Sequence, residues 1–105
     1  MARDEPRGKV LLDMNNPDFQ RDLFGLERSE LAQAADGLRR LRGMDWNDVY
    51  RSAGLKWERL QHIQAGSAPV YSLRLSRKFR AIALRDGDWL RILSLHPDHD
   101  SAYDS

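Results

Sequence analysis

Six basic side chains, Lys56, Arg59, Arg74, Arg77, Lys78 and Arg80, fall within residues 56–80 against one acid, Glu58. That window carries +5 between flanks of −2 (residues 1–27), +1 (28–55) and −3 (81–105), although the 105-residue chain sums to only +1. A basic strip of this kind suits an anionic partner, with a solvated surface as the plainer alternative. The local sequence indicates how the strip is displayed. Val70–Leu75, Phe79–Leu84 and Trp89–Leu95 read as strands, joined by Ser76-Arg77-Lys78 and by a hairpin turn centred on Asp86-Gly87. Pairing Leu75 with Phe79, and Leu84 with Trp89, lets the alternating faces be traced across all three strands. One face collects Tyr71, Leu73, Leu75, Phe79, Ala81, Ala83, Leu90 and Ile92, all apolar. The other carries Arg74, Arg80 and Arg91 with apolar groups between them. Arginines on a rigid sheet suit phosphate binding, because each planar fork donates two hydrogen bonds to one anion.

Other chemistries are poorly represented. There is no Gly-rich phosphate loop, no G-x-S-x-G elbow and no H-E-x-x-H pair. Cysteine is absent, which excludes disulfides, thiolate metal sites and cysteine nucleophiles together. His96-Pro97-Asp98-His99-Asp100 makes a weak metal motif, since proline interrupts any helix that would bring the imidazoles together. No metal or other cofactor is therefore expected. No apolar stretch approaches the length of a membrane span or a secretory core, so a soluble, cytoplasmic protein is expected.

Helices must supply the support for that sheet. Met1 to Gly8 is polar, with Pro6 and Gly8, and reads as a disordered tail over residues 1–8. Lys9 to Met14 suits a short strand. Asn16-Pro17 is a helix start, predicting a first helix from Pro17 to Leu26. From Ser29 to Arg42, Leu31, Ala34, Ala35, Leu38 and Leu41 recur at helical spacing, and Gly43 supplies a stop. Asp45 caps a third helix, Trp46 to Ala53, whose surface residues Asn47, Asp48 and Arg51 are too mixed in charge to read DNA. Trp46, Trp57 and Trp89 read as packing residues and His62 as a loop residue. The expected architecture is an α+β fold, N-terminal helices packed on a small antiparallel β-sheet, in a single domain over residues 9–105.

The run Tyr71-Ser72-Leu73-Arg74-Leu75-Ser76-Arg77-Lys78-Phe79-Arg80-Ala81-Ile82 resembles the hairpin of the RelE/ParE toxin superfamily. The segment from Leu93 to Tyr103, with His96, His99 and Tyr103, is similar to the family's C-terminal His-Asp-x-x-Tyr type of ending. The resemblance covers most of the chain from Lys9 onward, and Met44 to Gly54 looks like an addition to the smallest members. It implies the toxin of a bacterial type II toxin–antitoxin pair. The RelE-like branch cleaves messenger RNA on the ribosome, and the ParE-like branch inhibits DNA gyrase without catalysis. The partners implied are a cognate antitoxin, the ribosome and mRNA, with no membrane; a homodimer and a hetero-oligomer with antitoxin both stay open.

Carried over singly, Arg80 matches the second-strand arginine that contacts the scissile phosphate, and Arg74 matches a first-strand arginine. Glu58 resembles the general base of YoeB-like members, with Arg59 standing where those have proline. His99 and Tyr103 resemble the C-terminal His and Tyr positions at a different spacing. The catalytic set implied is Glu58, Arg80, His99 and Tyr103, with Arg74, Arg77, Lys78, Arg91 and His96 binding RNA. RNA can be cut by its own 2′-hydroxyl without a metal. The reaction needs a base, a cation for the charge that develops on the phosphate, and an acid for the leaving oxygen. Glu58 or a histidine suits the base, Arg80 with Arg74 the clamp, and His99 the acid. Tyr103 can stack on a base or orient the phosphate.

Overall fold

The computed structural model describes residues 8–97. In chain order the elements are β1 (Leu11–Asp13), α1 (Pro17–Phe24), α2 (Arg28–Arg42), α3 (Trp46–Arg51), β2 (Glu58–Ala65), β3 (Ala68–Arg74), β4 (Phe79–Asp86) and β5 (Trp89–Pro97). Each helix starts where a side chain can satisfy its first N–H groups. Asn16 accepts from the Asp18 N–H at 2.8 Å, with Pro17 in the first turn. Asp45 and Asp48 cap α3 reciprocally: Asp45 accepts from the Asp48 N–H at 2.8 Å, and the Asp45 N–H donates to Asp48 at 3.1 Å. At the start of α2 the Glu27 N–H donates to Glu30 at 3.4 Å. Among the described residues no helix is long and apolar enough to cross a membrane.

The five strands form one sheet in the order β1-β5-β4-β3-β2, antiparallel except for β1, which runs parallel to β5. The strand β2 is an addition to the sequence expectation. It places His62 in a strand rather than a loop. Its signal was the Gly66-Ser67 pair: Ala65 pairs with Ala68, and Gly66 has φ +63, as a two-residue hairpin turn with leading glycine requires. The β4–β5 turn follows the same plan. Gly87 has φ +61 and Asp86 pairs with Trp89, so the central residues are Gly87-Asp88, not Asp86-Gly87. The pairing therefore sits two residues from the expected Leu84–Trp89 alignment. An even shift leaves the side chains from Trp89 to Ile92 on their own faces.

The inner face is the apolar one that the alternation predicts. Leu73, Ala81, Ala83, Leu90 and Ile92 are each no more than 1% exposed. They meet Phe19 and Leu23 of α1, Ala34, Leu38 and Leu41 of α2, and Trp46 and Val49 of α3. Burying a large aliphatic or aromatic side chain contributes about 1.5–3 kcal/mol, and this seam therefore holds helices and sheet together. Trp46 and Trp57 join it as packing residues. Trp57 stacks on Tyr71 at 4.5 Å between ring centres and meets Trp46 edge-on at 5.5 Å. Arg85 lies 4.2 Å over the Trp46 ring and donates to the Tyr50 hydroxyl at 3.0 Å.

Helix α2 approaches the sheet most closely at Gly37, where a Cβ would collide with the Leu75 backbone carbonyl. Gly37→Ala should therefore destabilise the fold by about 1–3 kcal/mol, as overpacked sites do. Urea denaturation measures this, and Ala35→Gly on the exposed side of the same helix gives the ordinary cost of a helical glycine, about 1 kcal/mol.

Candidate functional site

The outer face of the sheet gathers the predicted groups through strand register. Arg74 of β3 pairs with Arg80 of β4, and Arg80 pairs with His96 of β5. Directly paired residues share a face with Cβ atoms about 4.5–5.5 Å apart, so the three form one transverse row. The next row holds Glu58, Ser72, Ile82 and Ser94, again by direct pairing. Glu58 is thus diagonal to Arg74, at about 7–8 Å between side-chain bases. Among the described residues it makes no ion pair, Lys56 and Arg59 included.

Simple alternation along β5 would not put His96 in this row. Leu90 and Ile92 face inward, and counting by twos from them turns His96 inward as well. A bulge changes the count. Ala83 pairs with Ile92, whereas Ile82 pairs with Ser94, so Leu93 is the extra residue. Beyond it Leu95 points into the core at 6% exposure, and Ser94 and His96 point outward. Helix α1 supports the rearranged segment, because the Asp22 carboxylate accepts the Leu95 N–H at 3.1 Å. On the outer face Ser94 Oγ lies 2.8 Å from His96 Nε2 and fixes the ring.

The row concentrates positive charge on a small area of the sheet. Two guanidinium groups directly opposite each other are mutually unfavourable. Arg80 is half-buried, and its Nε is buried without a hydrogen-bond partner among the described residues. A bound anion answers both problems, by bridging the charges and accepting from the guanidinium. Arg77 and Lys78 are exposed on the β3–β4 turn beside this end of the sheet.

Arg91 stands apart from its expected companions. It pairs with Leu84, four residues from Arg80 and hence about 13 Å away along the strand. Its charge is matched by Asp86 at 3.0 Å and Asp13 at 3.7 Å. Trp89, 45% exposed, lies at that same far end. His99 and Tyr103 lie outside the described residues. Among the described residues no three His, Cys, Asp or Glu side chains cluster as metal ligands. Ser94 was missed by sequence reasoning, although its i, i+2 spacing to His96 was a usable sign.

No family model matches this chain, and no curated protein matches it. Among solved structures, it resembles a chain of the archaeal RelE–RelB complex from Pyrococcus horikoshii, with a TM-score of 0.58 and 15% identity over 86% of this chain and 94% of that one. A copper-bound mutant toxin from Helicobacter pylori matches with a TM-score of 0.44 and 20% identity, over 88% of this chain and 96% of that one. The α+β fold of this chain is thus similar to that of the chain from the RelE–RelB complex.

A half-buried guanidinium whose Nε lacks a partner among the described residues should cost the fold stability, which its removal restores. Arg80→Met should raise stability by about 1 kcal/mol, through loss of an unsatisfied polar atom. Thermal unfolding with and without added phosphate checks the cause: phosphate should stabilise the wild type more than the variant.

Proposed function

We propose that this protein is the toxin of a type II toxin–antitoxin pair and a ribosome-dependent, metal-independent mRNA endoribonuclease. The observation that carries the reading is the facing pair Arg74–Arg80 with a hydroxyl-held imidazole, His96, beside it. The solved relative from Pyrococcus horikoshii, itself in complex with RelB, supports a proteinaceous antitoxin as the partner.

In this reading the scissile phosphate sits on Arg74 and Arg80. The RNA 2′-oxygen attacks phosphorus, the bond to the 5′-oxygen breaks, and a 2′,3′-cyclic phosphate remains. Glu58 takes the proton from the 2′-hydroxyl, and an imidazole gives one to the leaving 5′-oxygen. Arg80 and Arg74 stabilise the extra negative charge on the phosphate oxygens, which is greatest in the transition state. His99 is the acid that the family resemblance implies, and His96 lies next to Arg80 by register, so substitution separates their roles. Tyr103 stacks on a neighbouring base or orients the phosphate. Arg77 and Lys78 hold the flanking strand. The ribosome supplies much of the positioning, which allows a modest catalytic set to suffice.

Induced expression in bacteria, with mapping of mRNA 5′ ends, tests the reading. Wild type should arrest growth and create translation-dependent ends. Arg80→Ala should reduce cleavage about 10²–10³-fold, as loss of a charge-stabilising donor does. His99→Ala and Glu58→Gln should each cost about 10²–10⁴-fold, the range of general acid–base catalysis. Arrest with intact mRNA and an active DNA-damage response would contradict cleavage and indicate gyrase inhibition instead.

A further inference from the structure

Two cavities of about 320 Å³ each lie where α2 faces the β3–β4 turn. Arg40, Ser76 and Arg77 line both of them and form their common wall. The first is apolar inside, bounded by Met44, Leu55 and Leu75. Ser76 is only 7% exposed, and its hydroxyl has no hydrogen-bond partner among the described residues. An unpaired hydroxyl in an apolar wall is costly unless something polar reaches it. Arg40 is exposed and forms no ion pair among the described residues, although Asp36 stands one helical turn before it. Arg74 lines the same cavity and belongs to the transverse row, so the groove and the site described above share that residue at the sheet edge.

An apolar slot with one buried hydroxyl and an arginine rim fits a planar base joined to a phosphate. We infer that this groove holds a neighbouring nucleotide of the RNA strand whose scissile phosphate occupies Arg74 and Arg80. The base lies against Met44, Leu55 and Leu75, with one edge atom on the Ser76 hydroxyl. Its phosphate lies on Arg40 and Arg77. Asp36 lines the second cavity and repels an anion there, which places the phosphate at the Arg77 end. The inference rests on the RNA reading of the row and extends it with a second contact that the arginine pair does not supply.

Fluorescence anisotropy with a labelled 2′-O-methyl RNA ten-mer, which cannot be cut, reads the contact directly. The full chain is titrated between 50 and 200 mM salt as wild type, Arg40→Gln, Ser76→Val and Arg80→Met. Arg40→Gln should weaken binding about fivefold at the low-salt end and lower the slope of log affinity against log salt by about 0.7, the value for one phosphate contact on a single strand. Ser76→Val should weaken binding with no change of slope, because it removes a neutral contact. Arg40 is exposed, so its variant should melt as the wild type does. Wild-type affinity and slope in Arg40→Gln, alongside weakened binding in Arg80→Met, would overturn the groove and leave the row standing. Failure of the wild type to bind at all would overturn the groove, while the mRNA-cleavage test above decides the row.

Discussion

One unpaired residue in β5 determines what the outer face of the sheet can do. Leu93 has no partner on β4, and its insertion reverses the alternation that follows. Without it Leu95 would face solvent and His96 would face the core. With it, Leu95 completes the apolar layer and the imidazole joins two arginines. The reversal is held from both sides of the sheet: Asp22 of α1 takes the Leu95 N–H, and Ser94 holds the His96 ring. A packed core and an assembled polar row thus follow from the same local event.

Arg80 of the polar row carries one of the few buried polar side-chain atoms left without a hydrogen-bond partner among the described residues. Other arginines are matched: Arg21 lies 3.3 Å from Asp18 and from Asp22, Arg91 lies between Asp86 and Asp13, and Arg85 is seated on Trp46. Arg80 instead faces Arg74 across the strand pair and keeps a buried Nε without a partner among the described residues. Strain of this kind is retained where a ligand relieves it, and the relief is then part of the binding energy. Arg80 and Arg91 project from the same face, yet only Arg91 is matched by carboxylates among the described residues.

Much of this was legible in the chain. Helix starts at Asn16-Pro17 and Asp45, the apolar stripe of α2, and the Leu75–Phe79 hairpin all follow from local rules, and the structure contains each of them. The inner face could be read by alternation because burial of one side enforces the register. What was illegible depends on long-range pairing. The bulge at Leu93 has no sequence mark, since any residue can be the extra one. The role of Asp22 depends on how α1 packs against β5, and the neutralisation of Arg91 depends on β1 running alongside β5. The strand β2 was hidden by a mixed polar sequence, Glu58–Ala65, and by the irregular pairing between Arg59 and Gln64. Gly37 carries no mark in the sequence of α2, and only the packed fold shows that it sits against the Leu75 carbonyl.

The most direct test of the central claim is amide chemical-shift mapping by NMR as a non-cleavable single-stranded RNA is added. If the bulge assembles an anion site, the largest shifts should run across three strands, at Arg74, Arg80, Ser94 and His96, with Arg91 nearly unmoved. Shifts confined to the helices, or centred on Arg91 and Trp89 at the other end of the sheet, would contradict the account.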